Sequence, residues 1–156
     1  ASVVALRLDG APVTVPYVIR PDRKGVLSLG AESCEIQTKF EQRAKLENAL
    51  GRVFLTNWSR PEDVPTWTFS APKAGRYAVR VSYAAARGGR GTEFSGAAGK
   101  AALAGKVQDT GGDWVFKSFP LGEVQLTGGE QTLEVRAKVQ GSAAMTLEKV
   151  TLTPVE

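Results

Sequence analysis

The sequence predicts an all-β fold, a β-sandwich or jelly roll of two antiparallel sheets. In the stretch 63–83, large apolar residues alternate with polar ones on both sides of a Pro-x-x-Gly turn, at Trp67 and Phe69 and then at Tyr77, Val79, Val81 and Tyr83. A period of two is that of a strand with one buried face, so we expect these side chains in the core. Short apolar runs broken by Gly and Pro continue to the C-terminus, which is typical of a two-sheet sandwich.

Runs rich in β-branched and aromatic residues between Gly, Pro and Asn predict the individual strands. They cover residues 3–8, 13–19, 26–29, 34–37, 53–56, 66–70, 76–84, 92–95, 100–107, 115–119, 123–126, 132–139 and 144–152. Segment 38–50 alone has a helical composition, with Thr38 and Glu41 at capping-box spacing. Its apolar stripe is thin, so a charged surface loop is favoured over a helical turn.

The last predicted strand contains a change of parity. Met145 and Leu147 share one face, whereas Val150 and Leu152 share the other. A strand can bury both pairs only if it holds an extra residue, so we expect a β-bulge near Glu148 and Lys149.

Composition restricts the classes of function. The chain of 156 residues has the length of one domain and contains no histidine, which excludes Ser-His-Asp and Cys-His catalysis. The single cysteine, Cys34, excludes an internal disulfide and is expected to be buried on a strand. No apolar run reaches the ~20 residues of a membrane helix. The net charge of +4 is spread along the chain, which favours a basic surface over a nucleic-acid site.

The N-terminus lacks the features of a signal peptide and an initiator Met, so we expect a mature chain or a part of a longer protein. Segment 20–25 combines charge, Pro and Gly and predicts a boundary.

Several motifs keep an order and spacing that resemble a known family. These are Asn57–Phe69, Ala74–Ala84, Gly91–Phe94, Thr110–Trp114, Phe119–Leu126 and Met145–Val155. From about residue 25 to 156 the chain resembles a carbohydrate-binding module of the family 6 and family 35 type. More narrowly, it resembles the module at the C-terminus of bacterial α-L-fucosidases of glycoside hydrolase family 29 and of some sulfatases.

The resemblance implies a galactose-binding-domain-like jelly roll over residues 23–156. Residues 1–22 would be a strand or linker segment that ends a preceding domain. Such modules are usually non-catalytic and target an attached, secreted enzyme to polysaccharide. We therefore expect a monomeric module of a secreted, periplasmic or cell-surface bacterial protein, with carbohydrate and a covalently linked catalytic domain as partners. No cofactor is required.

The resemblance also implies a ligand site. Trp114 corresponds to a tryptophan that stacks on sugar, although it could equally close one end of the core. Asp113 and Asn57 are candidates for the sugar hydroxyls. The positions of a second aromatic residue and of a last-strand Asn are occupied by Val64 and Thr146. Trp58, beside Asn57 in a predicted exposed turn, is the candidate to substitute for the missing aromatic residue.

Charged residues suggest two further sites. Arg87 and Arg90, in a glycine-rich loop, could bind sulfate or carboxylate groups, or could simply be solvated. The resemblance implies a structural calcium between Glu32 and Glu148. Arg136 and Lys138 alternate with apolar residues and are expected on a solvent-facing sheet.

Two other functions remain open from the sequence. A small glycosidase or lyase could use a carboxylate pair such as Asp63 and Glu93. A protein-interaction or adhesion module could share the same sandwich, because one fold serves many functions.

Overall fold

The structure, a computed structural model, describes residues 17–87, 89–139 and 142–155. Within these ranges it contains a short 3₁₀ turn, Ala31–Ser33, and no helix long and apolar enough to cross a membrane. The strands are β1 (Val18–Ile19), β2 (Leu27–Gly30), β3 (Glu35–Gln37), β4 (Lys45–Ala49), β5 (Arg52–Thr56), β6 (Val64–Ala71), β7 (Gly75–Ala85), β8 (Glu93–Ala98), β9 (Ala101–Lys106), β10 (Gly112–Leu126), β11 (Gly129–Ala137) and β12 (Thr146–Pro154).

The described strands form two six-stranded sheets that enclose a common core. In the first sheet the order is β1-β6-β11-β8-β9, and β3 also pairs with β6. In the second sheet the order is β10-β7-β12-β5-β4, and β2 also pairs with β12. The described strand pairs are antiparallel except β1 and β6, which run parallel. The predicted all-β sandwich is confirmed.

The alternation along β7 places its apolar side chains in the core. Tyr77, Val79, Val81 and Tyr83 are each at most 2% exposed. Arg80 points to the opposite side, where its Nε donates a hydrogen bond to Ser118 Oγ at 3.1 Å. The sequence prediction for this strand is therefore confirmed.

Trp67 is a core residue, as its place in the alternating pattern predicts. It is 1% exposed, and its indole Nε1 donates a hydrogen bond to the carbonyl oxygen of Gly30 at 2.7 Å. That bond satisfies the polar N–H of a buried indole ring.

The β-bulge in the last strand is present. Leu147 pairs with Tyr83 and Lys149 pairs with Ser82, so Glu148 is the extra residue between them. As a result Leu147 and Val150 both reach the core, and Glu148 is directed to the outer face of the second sheet. The extra residue of the bulge explains why the apolar positions change parity along this strand.

One described strand of the first sheet, β1, lies within residues 1–22. The predicted strand at 3–8 and most of the one at 13–19 lie outside the described residues. Val18 and Ile19 pair with Thr68 and Phe69 of β6, and Ile19 is 6% exposed within the core. The division of the chain at residues 22 and 23 stays a prediction.

The loop predicted at 38–50 is wrong for its second half. Lys45–Ala49 forms β4, which pairs with β5 through a two-residue turn at Leu50 and Gly51. Both turn residues have positive φ, 54° and 71°, which suits the twist of a tight hairpin. Four of the five β4 residues are exposed, so the strand carries no alternating apolar pattern that the sequence could reveal.

Candidate functional site

Trp114 lies on the outer face of the second sheet, in contact with two other aromatic rings. Leu55 belongs to the core, so its neighbour Phe54 points outwards. Phe116 stacks on Phe54 with ring centroids 4.6 Å apart, and Trp114 packs edge-on against Phe54 at 5.7 Å. Phe54 is 1% exposed beneath these rings, whereas Trp114 is 45% exposed. We call these three residues the aromatic cluster; it fixes an indole ring of which nearly half is open to solvent.

An irregularity in β10 brings the cluster together. Gly112 pairs with Ala85 and Lys117 pairs with Tyr83, so residues 113–116 face a single residue of β7. A bulge of this size lifts the strand from the regular ladder. It lets Trp114 and Phe116 reach Phe54, although β7 and β12 separate β10 from β5 in the sheet. Because Phe54 lies some sixty residues before Trp114 and Phe116 in the chain, a local sequence pattern could not predict this contact.

Thr110 fixes the turn that leads into this irregular segment. It is 1% exposed, and its Oγ1 accepts a hydrogen bond from the backbone N–H of Ala85 at 2.9 Å. The same hydroxyl lies 3.1 Å from the carbonyl oxygen of Gly112, to which it can donate. The Thr-Gly-Gly-Asp-Trp motif thus contains a positioning residue as well as the exposed ring.

Asp113 lines a separate cleft. This loop-end cleft has a volume of about 290 Å³, and its walls include Gly89 and residues 142–146. A Cβ atom on Gly89 would lie 2.1 Å from the carbonyl oxygen of Ala144, so the two loops can approach this closely only at a glycine. Thr146 lines the same cleft, whereas Trp114 is not among its described lining residues. The structure brings Asp113 and Thr146 together and leaves Trp114 on the neighbouring face.

Trp58 is not an exposed binding residue, so that prediction is wrong. It is 0% exposed, and its Nε1 donates a hydrogen bond to the carbonyl oxygen of Asp63 at 2.8 Å. Val64, at the position of the second aromatic residue, is also buried at 4% exposure. Both residues belong to the interior, because strand β6 and the turn before it pack inwards there.

Asn57 is exposed, but its side chain has a structural contact. Its Nδ2 donates a hydrogen bond to the carbonyl oxygen of Arg43 at 2.9 Å. Asn57 is not among the described residues that line the loop-end cleft. Its proposed contact with sugar hydroxyls stays a prediction.

Asp63 stabilises the adjacent loop. Its Oδ2 accepts hydrogen bonds from the backbone N–H groups of Arg43, at 2.9 Å, and Ala44, at 2.7 Å. Asp63 is 0% exposed, so a substrate cannot reach it. The alternative of a catalytic pair formed by Asp63 and Glu93 therefore has no support in the structure.

Arg87 and Arg90 are both exposed on the loop that includes Gly89. Backbone hydrogen bonds from Gly89 to Ala86 and from Arg90 to Arg87 fold this loop, with N–O distances of 3.1 and 3.3 Å. Since Gly89 lines the loop-end cleft, the two arginines lie next to its wall. Their role as anion-binding groups stays a prediction.

A larger groove crosses the outer face of the first sheet. This sheet-face groove has a volume of about 610 Å³ and is lined by residues of β8, β9 and β11, among them Arg136, and by Lys138 just after β11. Both are exposed, as predicted. Glu93 lies between Lys138, at 2.9 Å, and Lys106, at 3.5 Å. The hydrogen bond from Lys138 is the main cause that lowers the pKa of Glu93 below its ordinary value.

Glu32 and Glu148, the residues implied as calcium ligands, line one groove of about 520 Å³. Glu148 Oε1 accepts from Arg52 Nη1 and Oε2 accepts from Ser82 Oγ, each at 2.5 Å. Burial alone would raise the pKa of Glu148, but these hydrogen bonds outweigh it and the pKa is lowered. Calcium needs six to eight oxygen ligands. The described residues contain no group of three or more His, Cys, Asp or Glu that could hold a metal. The calcium implied between Glu32 and Glu148 stays a prediction.

Cys34 is buried, as expected, although it lies between the 3₁₀ turn and β3 rather than on a strand. Burial, with a smaller effect of the Glu32 carboxylate, raises the pKa of the thiol to about 12. A thiol this basic carries almost no thiolate near neutral pH and is a poor nucleophile.

No protein-family model matches the chain, and no curated protein matches it significantly. Solved structures do share its fold. The GH26-CBM35 β-(1,4)-mannanase of Podospora anserina aligns with a TM-score of 0.66 and 22% identity over 86% of this chain, which spans only 28% of that enzyme.

Two isolated modules align over nearly their whole length. The C-terminal CBM6 of the laminarinase LamC from Zobellia galactanivorans aligns with a TM-score of 0.65 and 18% identity, over 82% of this chain and 98% of the module. The module CBM6cm-2 of Cellvibrio mixtus lichenase 5A, solved with cellotriose, aligns with a TM-score of 0.61 and 14% identity, over 83% and 97%. The chain thus has the jelly-roll fold found in carbohydrate-binding modules of families 6 and 35.

Proposed function

We propose that this chain is a non-catalytic carbohydrate-binding module. The observation that carries the proposal is Trp114, an indole ring 45% exposed and fixed by Phe54 and Phe116 on a fold shared with such modules. Sugar recognition uses an aromatic surface for the C–H face of a pyranose and polar groups for its hydroxyls.

The aromatic cluster supports binding because its geometry is set before the ligand arrives. A ring already held by neighbours loses little conformational freedom on binding, so less of the contact energy is offset by ordering. Glu47 pairs directly with Phe54 across β4 and β5, and its carboxylate accepts a hydrogen bond from Thr56 at 3.2 Å. Sequence reasoning did not select Glu47, which provides exposed acceptor oxygens next to the cluster.

The chain offers few side chains that could act as a nucleophile or as a general acid or base. The chain has no histidine, Asp63 is sealed from solvent, and burial leaves the Cys34 thiol protonated at neutral pH. These observations favour a module that holds a saccharide over one that hydrolyses it.

We place the module in a larger, secreted bacterial enzyme. In the Podospora mannanase a segment comparable to this chain is part of an enzyme, and the Zobellia module is the C-terminal part of one. The ordered sequence motifs resemble modules of α-L-fucosidases and some sulfatases, which makes these the proposed parents. The ligand would be a poly- or oligosaccharide.

Arg87 and Arg90 would widen the ligand range to sulfated or uronic-acid sugars. Guanidinium groups bind such anions in bidentate fashion. Both residues are exposed beside the loop-end cleft, where the charges are screened by salt. Their replacement should weaken binding only for anionic glycans, and less so at high ionic strength.

A glycan array identifies a ligand, and calorimetry with two variants then tests the site. Trp114→Ala should weaken binding about thirtyfold, the equivalent of ~2 kcal/mol for the loss of a central aromatic contact. Val115→Ala is the matched control, because Val115 is the next residue in the chain and, at 46% exposure against 45% for Trp114, is an equally exposed apolar side chain without an aromatic ring. Equal affinity of the wild type and Trp114→Ala would refute Trp114 as the binding surface and direct attention to the sheet-face groove. Absence of any ligand on a broad array would contradict the proposed function itself.

A further inference from the structure

The bulge in β12 builds a compact ionic unit on the outer face of the second sheet. Because Glu148 is the extra residue of the bulge, its side chain leaves the core side and lies between β7 and β5. There it contacts Ser82 of β7 and Arg52 of β5. We call Arg52, Ser82 and Glu148 the bulge triad.

Each carboxylate oxygen of Glu148 has its own partner in the triad. Oε1 is bonded to the Arg52 guanidinium and Oε2 to the Ser82 hydroxyl. The Glu148 side chain is only 12% exposed, whereas that of Arg52 is 67% exposed. A carboxylate this shielded needs a counter-charge and full hydrogen bonding to be tolerated. The triad supplies both from the protein's own side chains.

The groove around the triad is balanced in charge. Its described lining includes two acidic side chains, Glu32 and Glu148, and two basic ones, Arg52 and Lys149. The Glu32 carboxylate lies over Gly30, where a Cβ atom would be 2.2 Å from its oxygens. The two acidic groups therefore share one groove together with an equal number of cations, which leaves no excess negative charge to attract a divalent ion.

We propose that the Arg52 guanidinium serves as the built-in cation of this groove, in the place that a bound metal ion would otherwise take. The bulge presents Glu148, Ser82 orients one oxygen and Arg52 neutralises the other. These contacts link the outer faces of β5, β7 and β12 without calcium. This inference concerns the stability of the fold and does not depend on whether the chain binds sugar.

Thermal unfolding of the wild-type chain in excess calcium chloride and in excess EGTA tests the proposal directly. The two melting temperatures should agree within about 1 °C, because a ligand that does not bind the native state does not shift unfolding. A saturable rise of several degrees with calcium, abolished by Glu148→Gln, would overturn the proposal.

A double-mutant cycle tests the role of Arg52 in the same protein. Arg52→Gln should lower the melting temperature by roughly 3–6 °C, since it leaves a shielded carboxylate without its counter-charge. Adding Glu148→Gln to Arg52→Gln should cause little further loss, because the pair acts as one unit. Strictly additive effects of the two substitutions would contradict the proposal.

Arg76→Gln provides the matched control. Arg76 pairs with Glu123 on the same sheet at 3.2 Å, but both side chains are well exposed, at 59% and 46%. Exposed pairs contribute little to stability. The melting temperature of Arg76→Gln should stay within about 2 °C of the wild type. A loss equal to that of Arg52→Gln would show that the bulge triad is an ordinary surface pair and would overturn its assigned role.

Discussion

Replacement of Phe54 by alanine removes the support of the aromatic cluster. Phe54 is 1% exposed although it faces outwards, and its ring lies 4.6 Å from Phe116 and 5.7 Å from Trp114, measured between centroids. Burial of a phenylalanine side chain contributes ~1.5–3 kcal/mol, and each aromatic pair adds ~0.5–1.5 kcal/mol. Because the neighbouring rings can partly close the gap, we expect a loss of about 3 kcal/mol, within the range of large-to-small substitutions.

The loss is measured by urea unfolding, and tryptophan emission provides a second readout. Trp58 and Trp67 are 0% and 1% exposed, so a change in the environment of Trp114 dominates any red shift. Phe40→Ala is the control, because Phe40 is 67% exposed. If the free energies of unfolding of Phe54→Ala and Phe40→Ala differ by less than about 1 kcal/mol, the aromatic cluster does not stabilise the fold and the reasoning fails.

Two further predictions concern the titratable groups. Native Cys34 should resist alkylation by iodoacetamide at pH 8, because burial raises its thiol pKa to about 12, and should react once urea unfolds the chain; rapid labelling of the native protein would contradict this. The pKa of Glu148 is lowered in the folded state, so the ionised carboxylate stabilises the fold. This contribution is fully present above the pKa of an unfolded glutamate, about 4.3, and is lost as the pH falls through the lower pKa of the folded state. The stability difference between wild type and Glu148→Gln should therefore be full at pH 7 and shrink below about pH 4; a difference that grows towards acid pH would refute the assignment.

The strands with one buried face could be predicted from the sequence alone. The period of two in β7 predicts its core residues because the pattern and the burial have the same cause, the alternation of side chains across a strand. The parity change at Glu148 predicts the bulge for the same reason. Strand β4 could not be predicted in this way because it lies at the edge of its sheet. Most of its residues are exposed, so neither face carries a run of alternating apolar residues.

The candidate site depends on contacts that the sequence pattern does not record. Trp58 follows a turn residue and reads as exposed, yet the distant carbonyl of Asp63 binds its indole N–H and fixes it inside. For Trp114 the sequence left a core and a surface role equally open. The surface role is decided by the bulge at 113–116, which carries the ring over Phe54. Periodicity reports which face of a strand is buried, but not where an irregular segment crosses the sheet.

Acrylamide quenching of tryptophan fluorescence, with and without a glycan identified on the array, tests most directly whether Trp114 is the sugar-binding surface. Trp114 is the exposed member of the three tryptophans, so it accounts for the quenchable emission of the free protein. A pyranose stacked on the ring should shield it, and saturating glycan should lower the quenching constant towards that of the buried Trp58 and Trp67. Glycan binding that leaves the quenching constant unchanged would contradict the account, because the saccharide would then bind away from Trp114.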